Sequence, residues 1–176
     1  MRPVGVAELK AFYTGVTARS LRLETRQTYA VPWEVEGLEA WRQGEPEPPS
    51  EQMEQHLAGA KAIAESGRRE IRVRFLELPM TEYTRHEFEV AYPGNTAAGE
   101  EIYVLDRALH PEFDRDRDDY VVFDDRAVLW YRYTPDDVLT GYEYSEESEM
   151  VQHHLARAEA ALAVAVPFVD FVARQS

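Results

Sequence analysis

Apolar residues in this chain follow two rhythms, one near the helical period and one of period two, and stretches of each succeed one another. Residues 7–13 carry a short helical pattern ahead of Gly15. Ser20-Leu-Arg-Leu-Glu-Thr alternates as a strand, with Leu21 and Leu23 on one face. Pro32 reads as the first residue of a helix over 33–43, which turns Val35, Leu38 and Trp41 toward a core and stops at Gly44. Residues 45–49 form a linker, because prolines at 46, 48 and 49 forbid a regular helix.

Ser50 is a suitable N-cap for a second helix with Met53, Leu57, Ala60 and Ile63/Ala64 as its apolar stripe and Gly67 at its end. Residues 71–78 alternate as a strand that Pro79 breaks. Thr81 caps a third helix to about Tyr92, and the turn residues of 93–99 predict a loop. Four strands follow, at 101–106, 120–124, 127–133 and 138–145, and short connections join the last three as antiparallel hairpins. A long helix over 146–166 presents Val151, Leu155, Ala158, Leu162 and Ala165. Pro167 stops it, leaving Phe168-Val-Asp-Phe-Val as an apolar tail. Such an order predicts an α/β or α+β layer fold with a single mixed, largely antiparallel sheet flanked by helices. The expected organisation is an arm or short helix at 1–19, one domain at 20–171 and a tail at 172–176, without internal repeats.

Charge narrows the partners. The 176 residues hold 19 Lys+Arg against 33 Asp+Glu, a net charge of −14, so direct nucleic-acid binding and anionic lipid are disfavoured. A basic protein partner or a cationic ligand suits that field better. No membrane-length apolar run and no signal-peptide core is present, and the lack of cysteine removes disulfides, zinc thiolates and thiol nucleophiles. Together these features predict a soluble, cytoplasmic protein with no membrane association.

Catalytic signatures are missing: no Gly-x-Ser-x-Gly elbow, phosphate-binding loop or His-Glu-x-x-His helix occurs. Lysine is confined to Lys10 and Lys61. The acidic run from Asp114 resembles a calcium loop, but Asp119 stands where glycine is needed and Asp125 where a bidentate glutamate would be, so it reads as a solvated loop. Glu149 and His153 share a helix face, yet two ligands do not make a site, and His154 is expected to tuck against the core edge beside Leu155. No metal and no cofactor is expected. Tyr83, Arg85, His86, Glu87 and Glu89 crowd one short helix, which reads as exposed and charged unless it faces a cleft. The aromatics Tyr120, Phe123, Trp130, Tyr131, Tyr133, Tyr142 and Tyr144 read as two-layer core packing, or as one aromatic face for a peptide, a ring-bearing ligand or a partner.

Several clusters carry a resemblance: Leu21-Arg-Leu-Glu-Thr25, Tyr29-Ala-Val-Pro32, Tyr83-x-Arg85-x-Glu87, Asn95-x-x-Ala-Gly-Glu100, Phe123-Asp-Asp-Arg126, Gly141-x-Glu143 and Ala165-Val-Pro-Phe168. Over residues 20–171 the chain resembles an actinobacterial domain family of unknown function whose members are often encoded beside helix-turn-helix regulators. That resemblance implies a regulatory or sensing role. Its motifs mark Tyr83, Arg85, Glu87, Asn95, Glu100, Asp124 and Asp125 as ligand- or partner-binding residues. Arg85 would anchor an anionic or carbonyl group, Tyr83 would stack or donate, and the carboxylates would receive cationic groups. The competing reading is a structural network in which Arg85 meets Glu100 or Asp124 and ties helix to sheet. The element order is also similar to noncatalytic phospholipase-D-like half-domains. Catalytic members of that superfamily carry His-x-Lys-x4-Asp, and no histidine here has a lysine two positions later. The expected function is therefore a noncatalytic cytoplasmic binding or sensing domain in a regulator system. It would act through a protein partner such as a helix-turn-helix regulator, and a small-molecule ligand is compatible with that role. The alternative is a small enzyme of a specialised pathway using Glu87, His86 or Glu100 as general acid or base.

Overall fold

The computed structural model describes residues 1–175, so Ser176 of the expected tail lies outside it. Strands β1 (Arg2–Val4), β2 (Arg19–Glu24), β3 (Arg69–Leu76), β4 (Glu101–Asp106), β5 (Asp119–Phe123), β6 (Ala127–Tyr133), β7 (Leu139–Ser145) and β8 (Val166–Pro167) form one mixed sheet. Their order is β1-β7-β6-β5-β2-β3-β4-β8. Only β2–β3 and β3–β4 pair in parallel; the remaining neighbours are antiparallel. Parallel neighbours need crossovers, and these carry most of the helices. Helices α2 (Val35–Gln43) and α3 (Glu51–Glu65) link β2 to β3, whereas α4 (Glu82–His86) and α5 (Tyr92–Ala98) link β3 to β4. Helix α1 (Val6–Gly15) precedes β2, and α6 (Ser148–Val164) and α7 (Phe168–Ala173) close the chain.

Alternation along the central strands builds the main core on one face. Leu21, Leu23, Ile71, Val73 and Phe75 pack there with Val122, Val128 and Trp130 under Val151, Ala158 and Ala161 of α6. The opposite face is apolar only toward its two ends. At one end Val121 and Leu129 meet Leu9 and Phe12 of α1, and at the other Ile102 and Val104 meet Phe88, Tyr92 and Phe168. Between those clusters the same face carries Arg22, Glu24, Arg72 and Arg74.

Local chemistry sets the helix ends. The Ser50 hydroxyl accepts from the Met53 N–H at 3.2 Å, and Gly44 adopts φ 72° to end α2. Four expectations need correction. Residues 93–99 are mostly helix: a π turn over Glu87–Ala91 widens the backbone, and Pro93 then sits in the first turn of α5, where its missing N–H costs nothing. Residues 168–173 are a short helix that packs Phe168 and Phe171 against the core and leaves Val169 and Val172 exposed, so one face of the apolar tail belongs to the core. Val35 is 61% exposed, because α2 turns Gly37 inward instead. The segment 82–89 is half buried: Tyr83, Thr84, His86 and Glu87 face inward, whereas Glu82, Arg85 and Glu89 face solvent.

Candidate functional site: a charged sheet face beneath an open cavity

A parallel strand covered on both faces normally reads as a continuous apolar run. Strands β2 and β3 break that rule at Arg22, Glu24, Arg72 and Arg74. Every second residue from Leu21 and Ile71 points to the α6 core, so the intervening side chains must enter the opposite layer, where α3, α4 and α5 lie. Arg74 has no exposure there at all, and Glu24 retains 2%. Buried charge persists only where it is paired and hydrogen-bonded, and each of these groups is paired.

Arg72 lies between two carboxylates, donating from Nε to Glu100 at 2.6 Å and from Nη1 to Glu24 at 2.9 Å. Arg22 shares Glu24 at 2.9 Å. Arg74 donates to Glu87 at 2.7 Å and also meets the hydroxyls of Tyr29 and Thr84, each at 3.3 Å. Tyr92 bridges the two systems, its hydroxyl 3.3 Å from Glu24 and 3.4 Å from Glu87. Burial opposes ionisation of Glu24, but Arg22, Arg72 and Arg74 outweigh it and bring its carboxyl down to about 2. Glu87 goes the other way. Burial pushes its carboxyl up to about 7 against the pull of Arg74, and neighbouring Glu24 adds to the rise. Glu100 is held below the usual range: burial opposes ionisation, but Arg72, with His56 at 3.8 Å, outweighs it.

Above this face lies an open cavity of about 290 Å³. Its floor includes Arg22, Glu24 and Arg72; Tyr131, Tyr133 and Tyr142 of the β6–β7 hairpin form one wall. The other wall comes from the 30–34 and 47–56 segments and from the helical run 83–95. A clasp joins the two walls: Arg26 donates to Asp137 at 2.7 Å, its guanidinium lies 5.1 Å from the Tyr133 ring centre, and the Ala30 N–H donates to the Asp137 carbonyl at 3.1 Å.

Of the residues marked by motif, Tyr83, Glu87 and Asn95 line the cavity, and Glu100 joins its floor through Arg72. Tyr83 donates to Glu34 at 2.7 Å. Arg85 does not enter the network expected of it. Its exposed guanidinium lies 5.6 Å from the Trp41 ring centre, and Arg72 and Arg74 tie helix to sheet in its place. Asp124 and Asp125 sit at the β5–β6 hairpin, outside the cavity lining. Asp124 accepts from the Thr17, Ala18 and Arg19 N–H groups at 2.7–3.0 Å, and Asp125 pairs with Arg19 at 2.8 Å. Among the described residues no group of three or more His, Asp or Glu side chains is arranged to hold a metal ion. The acidic run is dispersed, with Asp116 on Arg157 and Asp118 on Arg132. His154 lies between the Tyr120 and Trp130 rings and accepts from the Trp130 indole at 3.1 Å, at the core edge as expected.

Arg72 and Arg74 lie in no motif, and Arg22 and Glu24, although inside the Leu21–Thr25 cluster, are not among the residues that the motifs mark as binding. The available signal was their alternation with Leu and Val in strands that the helix–strand order covers on both sides.

The family described as a domain of unknown function (DUF6879) matches residues 7–173. The chain belongs to that family. No curated protein matches it. Among solved structures, the phospholipase D family member Nuc from Salmonella typhimurium is similar in fold, with a TM-score of 0.54 at 7% identity over 92% of this chain and 88% of that one. At that identity the likeness concerns the fold alone. Among the described residues of this family member, no helix is long and apolar enough to cross a membrane.

Proposed function

We propose that this domain is a noncatalytic binding module of the cytoplasm, in which a small molecule enters the cavity over β2 and β3 and a protein partner in a regulator system reads the occupied state. The observation that carries this reading is Asn95. It is 4% exposed and lines the cavity, and its side-chain oxygen has no hydrogen-bond partner among the described residues. An unpaired buried acceptor costs roughly 1–3 kcal/mol, and a ligand that donates to it recovers that cost. Neither Lys10 nor Lys61 lines the cavity, which disfavours amine catalysis. The net charge of −14 suits a basic partner such as a helix-turn-helix regulator. Capture of the tagged full chain from its native cytoplasm, with mass spectrometry of co-purifying small molecules and proteins, tests the proposal. A small molecule enriched on wild type and lost from Trp33→Ala at the cavity rim supports it; equal recovery on both chains overturns it.

One observation favours a second reading. Glu87, raised to about 7 in the cavity wall, has the acidity of a general acid or base. Under that reading the captured molecule is turned over by wild type and bound intact by Glu87→Gln.

A further inference from the structure

The charges lining the cavity are unequal. Two arginines, Arg22 and Arg72, face five carboxylates, Glu24, Glu34, Glu47, Glu87 and Asp137. Three of those carboxylates are matched: Glu24 by Arg22 and Arg72, Glu87 by Arg74, and Asp137 by Arg26. Glu34 and Glu47 differ, since neither is ion-paired to lysine or arginine among the described residues. Glu34 accepts from the Tyr83 hydroxyl at 2.7 Å, and Glu47 stands 3.5 Å from His86 Nε2. Glu47 reaches in over bare backbone, because a Cβ at Gly37 would lie 2.5 Å from its Oε1. The neighbouring Asn95 is 4% exposed, and its side-chain oxygen has no hydrogen-bond partner among the described residues. This side of the cavity therefore holds acceptors in excess of donors. Beside it on the same wall stand Trp33 at the rim and Met53, and the hairpin wall adds the edge-to-face pair Tyr131–Tyr142 with ring centres 5.4 Å apart.

Resting on the binding role proposed above, we infer that the ligand is a small molecule bearing a protonated amine or amidine on an aromatic or apolar body. The cation sits among Glu34, Glu47 and Asn95, and the body lies against Trp33, Met53 and the tyrosine pair. Charge-assisted hydrogen bonds and a ring face both favour such a cation, and the net negative field of the protein attracts it. An anionic ligand would have to use Arg22, whose Nε is also unpartnered. That guanidinium, however, already bonds to Glu24 and lies 4.5 Å from the Tyr131 ring centre. Burial holds the Glu34 carboxyl up, with Glu24 and Glu47 adding to the rise against Tyr83 and Arg72. An arriving cation favours the ionised form, so binding releases protons.

Calorimetric titration of the full chain with 2-phenylethylamine and benzamidine, beside neutral 2-phenylethanol and anionic 3-phenylpropionate, tests the inference. Two buffers of different ionisation heat report the protons. The cations are expected to bind with proton release and the neutral and anionic probes not to bind. Glu34→Gln/Glu47→Gln should weaken the cations by about tenfold or more while melting as a folded protein. Binding of the alcohol or the carboxylate in preference to the amine overturns the cation assignment and leaves the binding role standing, as does undiminished amine binding by the double variant. Binding by none of the four probes also overturns the cation assignment; the binding role is then decided separately, by the capture comparison with Trp33→Ala.

Discussion

Arg74 and Glu87 are joined at 2.7 Å in the middle of the sheet, with no part of the arginine exposed to solvent. The pair fixes α4 and its π turn against β3, and so fixes the wall of the cavity that holds Tyr83, Glu87 and Asn95. Removing one partner of such a pair leaves the other buried without compensation, at a cost of about 3–5 kcal/mol. Arg74→Ala is accordingly expected to lose that amount in denaturant unfolding near neutral pH. Arg85→Ala should lose less than about 1 kcal/mol, because its guanidinium is exposed over Trp41. Equal losses at the two positions would contradict this assignment.

The acidity of Glu87 gives a pH signature. Its folded value is about 7 against an ordinary 4.5, so folding favours the protonated form. The stabilisation it contributes is complete below about pH 4.5 and is lost as pH rises through about 7, by up to about 3 kcal/mol. Wild type should therefore lose stability between about pH 5 and 8 relative to Glu87→Gln. Parallel stability curves for the two chains over that range would show that Glu87 titrates as an ordinary carboxylate.

Asp124 is a contrasting case. Burial opposes ionisation of its carboxyl, but the backbone N–H groups of Thr17, Ala18 and Arg19, with the Thr17 hydroxyl, together outweigh this and lower it to about 2. Its contribution is present above about pH 3.8 and is lost as pH falls toward 2. Asp124→Asn should cost about 1 kcal/mol at neutral pH, and the gap to wild type should close on acidification. Ligand capture should be unchanged in this variant, since the residue lies outside the cavity lining.

Gly99 couples two elements of the site. It has φ 107°, and a Cβ there would approach the Ala64 Cβ of α3 to 2.5 Å. The Glu100 N–H donates to the Asn95 carbonyl at 3.0 Å, so this helix end sets the positions of both residues. Gly99→Ala should destabilise by about 2 kcal/mol or more, through a strained backbone and a displaced helix pair. A melting temperature equal to wild type would show that α3 and α5 are not held at this contact.

Much of this architecture follows from the residues themselves. Leu21 and Leu23, Ile71 and Val73, and the stripe Val151–Ala158 give strand faces and a helix face by periodicity alone, and Ser50 and Gly44 mark helix ends through side-chain and backbone chemistry. Periodicity says which side chains share a face; it does not say what covers that face. Alternation puts Arg72 and Arg74 together on one face of a strand without saying that α3, α4 and α5, brought over them by the chain path, bury them. Pro93-Gly-Asn reads as a loop for a related reason, since the π turn that accommodates the proline leaves no mark in local composition. Tyr83, Glu87, Asn95 and Glu100 converge on the cavity because the second crossover folds back over β3. Asp124 and Asp125 instead cap the Thr17–Arg19 backbone and bind Arg19.

The central claim is that the cavity over the charged face receives a ligand. Ligand-observed NMR with a library of small fragments, run in parallel on wild type and on Met53→Trp, which fills the cavity from α3, tests it most directly. Fragments should bind wild type and be lost from a Met53→Trp chain that melts normally. Binding that is unchanged in the filled variant, or absent from wild type, would contradict the claim.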